Sequence, residues 1–115
     1  MHAQPKKNEI SNLVKFSHRA MNANFEILIQ HDDKTYAGQV ARNAFNQVDR
    51  LESLLSRFIE NSDVARINLL APGDFAVVDP DTINTIRIAK KAWRLTGGAF
   101  DITIGKIIEA WKNND

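Results

Sequence analysis

From Leu13 the chain alternates in polarity, with Leu13, Lys15 and Ser17 on one side and Val14, Phe16 and His18 on the other. A period of two marks a strand that shows its two faces to different surroundings. Phe25-Glu26-Ile27-Leu28-Ile29 forms a second run of the same kind. Between the two lies Arg19-Ala20-Met21-Asn22-Ala23-Asn24, and asparagine tolerates turn and left-handed backbone better than most residues. The segment therefore reads as a β-hairpin or a broken strand pair, closed by His31-Asp32-Asp33. The period then changes. Tyr36, Val40, Ala44, Val48, Leu51, Leu55 and Phe58 recur every three or four positions, which predicts a helix over Thr35 to Phe58 with that stripe packed on the sheet.

Shorter elements follow. Ser62 is an N-cap candidate for a short helix carrying Val64 and Ile67. Ala71-Pro72-Gly73-Asp74 has turn composition, and Phe75-Ala76-Val77-Val78 reads as a short strand. Asp79 and Pro80 open another helix, as cap and first helical residue, with Ile83, Ile86, Ala89, Lys90, Trp93 and Leu95 in helical spacing. Gly97 stops it, Ala99 to Ile102 reads as extended, and a last helix begins near Gly105 and carries Ile107, Ile108 and Trp111. The order β-β-α-α-β-α-loop-α predicts an α+β fold, an antiparallel or mixed sheet with packed helices. Residues 1–12 read as a flexible arm, and residues 13–115 as the folded part.

Composition narrows the function classes. A chain of 115 residues suits one small domain, and 43% hydrophobic with 25% charged residues is ordinary for a globular one. Fifteen basic against fourteen acidic residues leave a net charge of +1 with no basic stripe, which argues against nucleic-acid binding. There is no cysteine, so disulfides, thiolate metal sites, a cysteine nucleophile and a lipid-bearing cysteine are excluded. No apolar run approaches the ~20 residues of a membrane span. Met1 to Asn12 lacks the apolar stretch of a secretory signal, so a cytoplasmic protein is expected.

Chemistry is sparse. His2, His18 and His31 stand in no catalytic motif and at no metal-ligand spacing, so no catalytic residue and no metal site is assigned. The Thr96-Gly97-Gly98-Ala99-Phe100-Asp101-Ile102-Thr103-Ile104-Gly105 stretch is more informative. Two glycines permit positive φ and close backbone approach to a ligand. Phe100 offers a flat apolar face and Asp101 an acceptor. General considerations alone favour a plain helix stop, with Phe100 in the core and Asp101 capping the next turn. Arg57 and Arg66, on the stretch from Ser56 to Asn68, could attract a phosphate or simply solvate a surface.

Three stretches together change the balance. Arg19-Ala20-Met21 with Phe25-Glu26-Ile27, then Ser56-Arg57-Phe58 with Ser62 and Arg66-Ile67-Asn68, then the Thr96–Gly105 segment, in this order, resemble the ApbE family of FAD:protein FMN transferases. The resemblance runs from about Phe16 to Trp111. It implies the N-terminal part of a layered, T-fold-like domain. It also implies an activity that, with Mg²⁺, splits FAD and passes FMN to a threonine of an acceptor flavoprotein. Carried over residue by residue, it implies flavin-nucleotide contacts from Met21, Phe58, Ala99, Phe100 and Asp101, with Asn61 and Asn68 as helpers. The family's first motif reads Ala-Met-Gly-Thr, whereas Asn22 and Ala23 follow Met21 here. Asn22 can take a glycine-like backbone, but Ala23 has no hydroxyl to donate. The family's Mg²⁺ ligands, an aspartate and a threonine, fall beyond Asp115, so the chain alone is expected to be inactive and to form one wall of the site. Three readings stay open: an enzyme fragment, a degenerate flavin- or nucleotide-binding module, and a partner-binding module without catalysis. Self-association or a complementing C-terminal fragment is the expected partnership.

Overall fold

Strand alternation decides the first unit of structure. In the computed structural model, which describes residues 12–113, β1 (Leu13–Ala20) and β2 (Ala23–Gln30) pair antiparallel, from Leu13 opposite Gln30 to Ala20 opposite Ala23. Val14, Phe16, His18 and Ala20 turn inward, as do Phe25, Ile27 and Ile29. Of the two expected alternatives the hairpin holds, and Arg19, Ala20, Ala23 and Asn24 all belong to its ladder. Only Met21 and Asn22 form the loop, at φ of 52° and 55°. Positive φ at both central residues is the mark of a type I′ turn, whose twist matches that of paired strands. Left-handed backbone costs a non-glycine residue roughly 1–2 kcal/mol, and asparagine bears it better than methionine. Except for Asn12, the arm expected over residues 1–12 lies outside the described residues. Asn12 accepts the His31 N–H through its carbonyl at 3.0 Å.

α1 (Lys34–Leu55) starts at Asp33, whose carboxylate accepts from the backbone of Thr35 and Tyr36 at 3.0 and 3.1 Å. Its buried line is not the expected one. Ala37, Ala41 and Phe45 are buried, while Tyr36 and Val40 are exposed. The small residues win because they allow the helix to lie close to the sheet: a Cβ on neighbouring Gly38 would stand 3.8 Å from the Phe16 ring. Phe45 stacks on His18 with ring centroids 4.9 Å apart, and His18 Nε2 lies 2.7 Å from Asp49 Oδ1. Burial of an aromatic of this size is worth about 1.5–3 kcal/mol. The helix also ends earlier than expected. Ser56 still donates its N–H to the Glu52 carbonyl but is extended, so Phe58 lies in a turn beyond the helix.

Ser62 does cap the next helix, α2 (Asp63–Asn68). Its hydroxyl oxygen accepts from Ala65 N–H at 3.0 Å and its proton goes to the Ser56 carbonyl at 2.6 Å. One buried side chain thus joins the end of α1 to the start of α2. Asp63, also buried, pairs with Arg66 one turn on.

The chain divides into two compact units, Met1–Leu69 and Leu70–Asp115. In the second, Asp74 N–H closes the expected turn on Ala71 O at 3.0 Å. Phe75-Ala76-Val77-Val78 does not form the expected strand. A strand exists only through its ladder, and no partner strand for it is present among the described residues. α3 (Pro80–Leu95) begins as expected, with the Asp79 carboxylate accepting from Asp81 N–H at 2.9 Å. Thr82 and Ala89 are its buried residues, whereas Ile83 and Trp93, also in the helical pattern, are exposed. It ends in a Schellman motif: Gly98 N–H reaches Trp93 O at 2.8 Å and Gly97 N–H reaches Arg94 O at 3.3 Å. Both glycines have positive φ, 62° and 88°. The extended stretch expected from Ala99 to Ile102 shortens to Asp101, because a 3-10 turn (Ile102–Ile104) follows at once and leads into α4 (Gly105–Asn113). The fold is α+β, with a two-stranded antiparallel sheet on which α1 packs.

Candidate functional site

The tip of the hairpin and the end of α1 enclose a hollow of about 420 Å³. Met21, Asn22, Glu52, Leu55, Ser56, Arg57, Phe58 and Ile59 line it. The volume falls within the roughly 300–1,000 Å³ of small-molecule sites. Each side of the hollow has a local cause. The two-residue turn puts Met21 at the rim, and Glu52 Oε2 accepts the Met21 N–H at 2.9 Å. The abrupt end of α1 turns the chain away, and Ser56 Oγ accepts from Phe58 N–H at 3.2 Å, which holds the turn that carries the ring.

The hollow is apolar along Met21, Leu55, Phe58 and Ile59, with one acidic and one basic group, Glu52 and Arg57. Phe58 is 78% exposed, so its ring is available to a ligand. The Arg57 guanidinium lies 4.2 Å from the Phe58 ring centroid, a cation–π distance. The site can therefore accept a planar ring against Phe58 and Met21 and bring a positive charge to a nearby anionic group.

Of the residues expected at a nucleotide site, Met21 and Phe58 come together here. Ala99, Phe100 and Asp101 lie in the second unit. There Phe100 is 47% exposed rather than in the core. Its N–H donates to Thr96 Oγ1 at 3.0 Å. Asp101 does cap the next turn: its Oδ1 accepts from Thr103 N–H at 2.9 Å and from Thr103 Oγ1 at 2.6 Å. Those two bonds, the side-chain one first, hold its carboxyl below the usual aspartate value. Asn61 takes a left-handed backbone at φ 66°, and Asn68 ends α2; neither lines the hollow. Among the described residues no group of three or more His, Asp or Glu side chains is arranged to hold a metal ion. Nor is any described helix long and apolar enough to cross a membrane.

Glu52 is the residue that sequence reasoning missed. Its signal was its place one helical turn before Ser56, on the side of α1 that leads into the Ser56-Arg57-Phe58 turn. The Met21 contact that gives it meaning is tertiary.

A hairpin tip set against a helix end, in an α+β fold, frames this hollow. The chain belongs to the ApbE family, whose model matches residues 21–115. It is 29% identical over 105 residues to a protein named FAD:protein FMN transferase from Buchnera aphidicola subsp. Schizaphis graminum (strain Sg), covering 91% of this chain and 30% of that protein. Its structure resembles the crystal structure of the ApbE protein from Thermotoga maritima with a TM-score of 0.75 and 27% identity, over 86% of this chain and 31% of that one. The chain thus spans about a third of the length of the relatives it matches.

Proposed function

We propose that residues 13–115 are the N-terminal part of an FMN transferase domain and that the hollow at the hairpin tip receives part of FAD. The observation that carries this reading is that Met21 and Phe58, far apart in the sequence, line one hollow. FAD fits that surface chemically. One of its flat ring systems can lie on the exposed Phe58 ring beside Met21, and the Arg57 guanidinium can meet a phosphate oxygen. Ala99, Phe100 and Asp101 are proposed as further FAD contacts from the second unit, with the capping bonds of Asp101 keeping its carboxylate ionised. FAD would be the substrate and FMN donor, and a threonine of an acceptor flavoprotein the recipient. The described residues do not fit the Mg²⁺ that this family reading implies, so no step is assigned to it here. What this chain contributes is binding and orientation of the nucleotide.

Flavin titration tests the reading. FAD added to the protein should change its fluorescence or absorption saturably, and Phe58→Ala should weaken the effect. No change up to high micromolar FAD would sink it. Mixing the chain with the C-terminal part of a relative, FAD, Mg²⁺ and a threonine-bearing acceptor should restore transfer if the enzyme-fragment reading holds. The departure of Asn22 and Ala23 from the family's first motif supports a second reading, in which the isolated chain binds flavin or a protein partner without catalysis. Exposed Phe75, Val77, Ile88 and Leu95 support self-association or pairing with a complementing chain. Light scattering that shows a monomer at high concentration would count against self-association.

A further inference from the structure

We infer that Glu52 is the residue that positions Met21 for flavin binding, acting as a hydrogen-bond acceptor rather than as a charge; the inference rests on the flavin reading above. In a two-residue hairpin loop the ladder bonds are made by the flanking pair, here Ala20 and Ala23. The N–H of the first loop residue points out of the ladder and is open to water or to an acceptor from elsewhere in the fold. Glu52 supplies it across the fold, Oε2 to Met21 N at 2.9 Å. Glu52 lies on the last turn of α1 and donor and acceptor belong to different elements, so this bond sets where the hairpin tip stands over the helix end. It also holds a methionine in left-handed backbone at φ 52°, a conformation methionine does not choose for itself. Glu52 lines the same hollow as Met21 and Phe58, so a shift of the tip changes the distance between those two side chains.

The acceptor role separates cleanly from charge. Glutamine keeps a carbonyl oxygen at the same reach and loses the charge. Aspartate keeps the charge and loses one methylene of reach. Alanine loses both. FAD affinity of the whole chain, read by flavin fluorescence, should fall about tenfold in Glu52→Ala and in Glu52→Asp, and stay within about threefold of wild type in Glu52→Gln. Amide exchange by NMR gives a readout independent of flavin: the Met21 N–H should exchange faster in the alanine and aspartate variants and stay protected in the glutamine one. If Glu52→Ala does not fold, the aspartate and glutamine pair decides the question. Wild-type affinity in Glu52→Asp, or loss in Glu52→Gln equal to that in Glu52→Asp, overturns the role of Glu52 while leaving flavin binding in place. A wild-type chain with no affinity for FAD overturns the flavin reading itself, and this inference with it.

Discussion

Ser62→Ala removes a single hydroxyl from a residue that is 3% exposed, and that hydroxyl makes two bonds. As acceptor it caps α2 through Ala65 N–H at 3.0 Å, and loss of such a cap typically costs about 1 kcal/mol. As donor it satisfies the Ser56 carbonyl at 2.6 Å. Leaving a half-buried carbonyl without that donor costs about another 1 kcal/mol, the lower end of the range for buried groups. The two effects together give about 2 kcal/mol, a sizeable share of the ~5–15 kcal/mol that holds a small domain together. With a urea m-value of about 2 kcal/mol/M, the midpoint should fall by about 1 M. The same chemical change at Ser53 is the control. Ser53 is an exposed residue in α1 whose hydroxyl only back-bonds to the Arg50 carbonyl at 2.6 Å. Ser53→Ala should lie within about 0.5 kcal/mol of wild type, since alanine is also the better helix former. Urea unfolding followed by circular dichroism measures both. A Ser62→Ala loss no larger than that of Ser53→Ala would refute the idea that one hydroxyl ties the two helices. On the flavin reading proposed above, the variant should also weaken FAD binding, because the Ser56 carbonyl anchors the turn that carries Phe58.

Other changes test other joints. Phe45→Ala removes the ring stacked on His18 and should destabilise the protein by about 3–5 kcal/mol in the same urea assay, enough to expose a partly unfolded population. Gly97→Ala and Gly98→Ala each place a Cβ on positive-φ backbone, at 62° and 88°, and should each cost about 1 kcal/mol. The Asp101 carboxyl should titrate below 3.8 by NMR, and Thr103→Val should return it toward that value by removing the hydroxyl bond. Its folded value is depressed, so the stabilising contribution is present in full above the unfolded value near 3.8 and is lost as pH falls through the lower folded value. The amides of the 3-10 turn should therefore lose protection only in that acidic window, and a loss beginning at neutral pH would contradict the cap.

Much of the local structure was legible because it is local. Alternation over Leu13–Phe16 and Phe25–Ile29, the caps at Ser62 and Asp79, the turn at Ala71–Asp74 and the stop at Gly97 each depend on neighbours within a few residues. The faults came where distant residues decide. The apolar stripe of α1 pointed to Tyr36 and Val40, but closeness to Phe16 gave the contact face to Gly38 and the alanines at 37 and 41. Phe75–Val78 has strand composition yet no ladder, since composition cannot supply a partner.

The candidate site divides in the same way. By itself the sequence determined the ordered motifs that carry the family resemblance, and with them Met21, Phe58 and Ala99-Phe100-Asp101 as residues to examine. It could not say that Met21 stands in left-handed backbone or that the helix stops at Leu55 and exposes Phe58. Nor could it say that a glutamate on the last turn of α1 holds the hairpin tip. Only tertiary structure decided these, for a physical reason. Capping and alternation are governed by short-range geometry, whereas an unpaired loop N–H finds its acceptor wherever the fold brings one within reach.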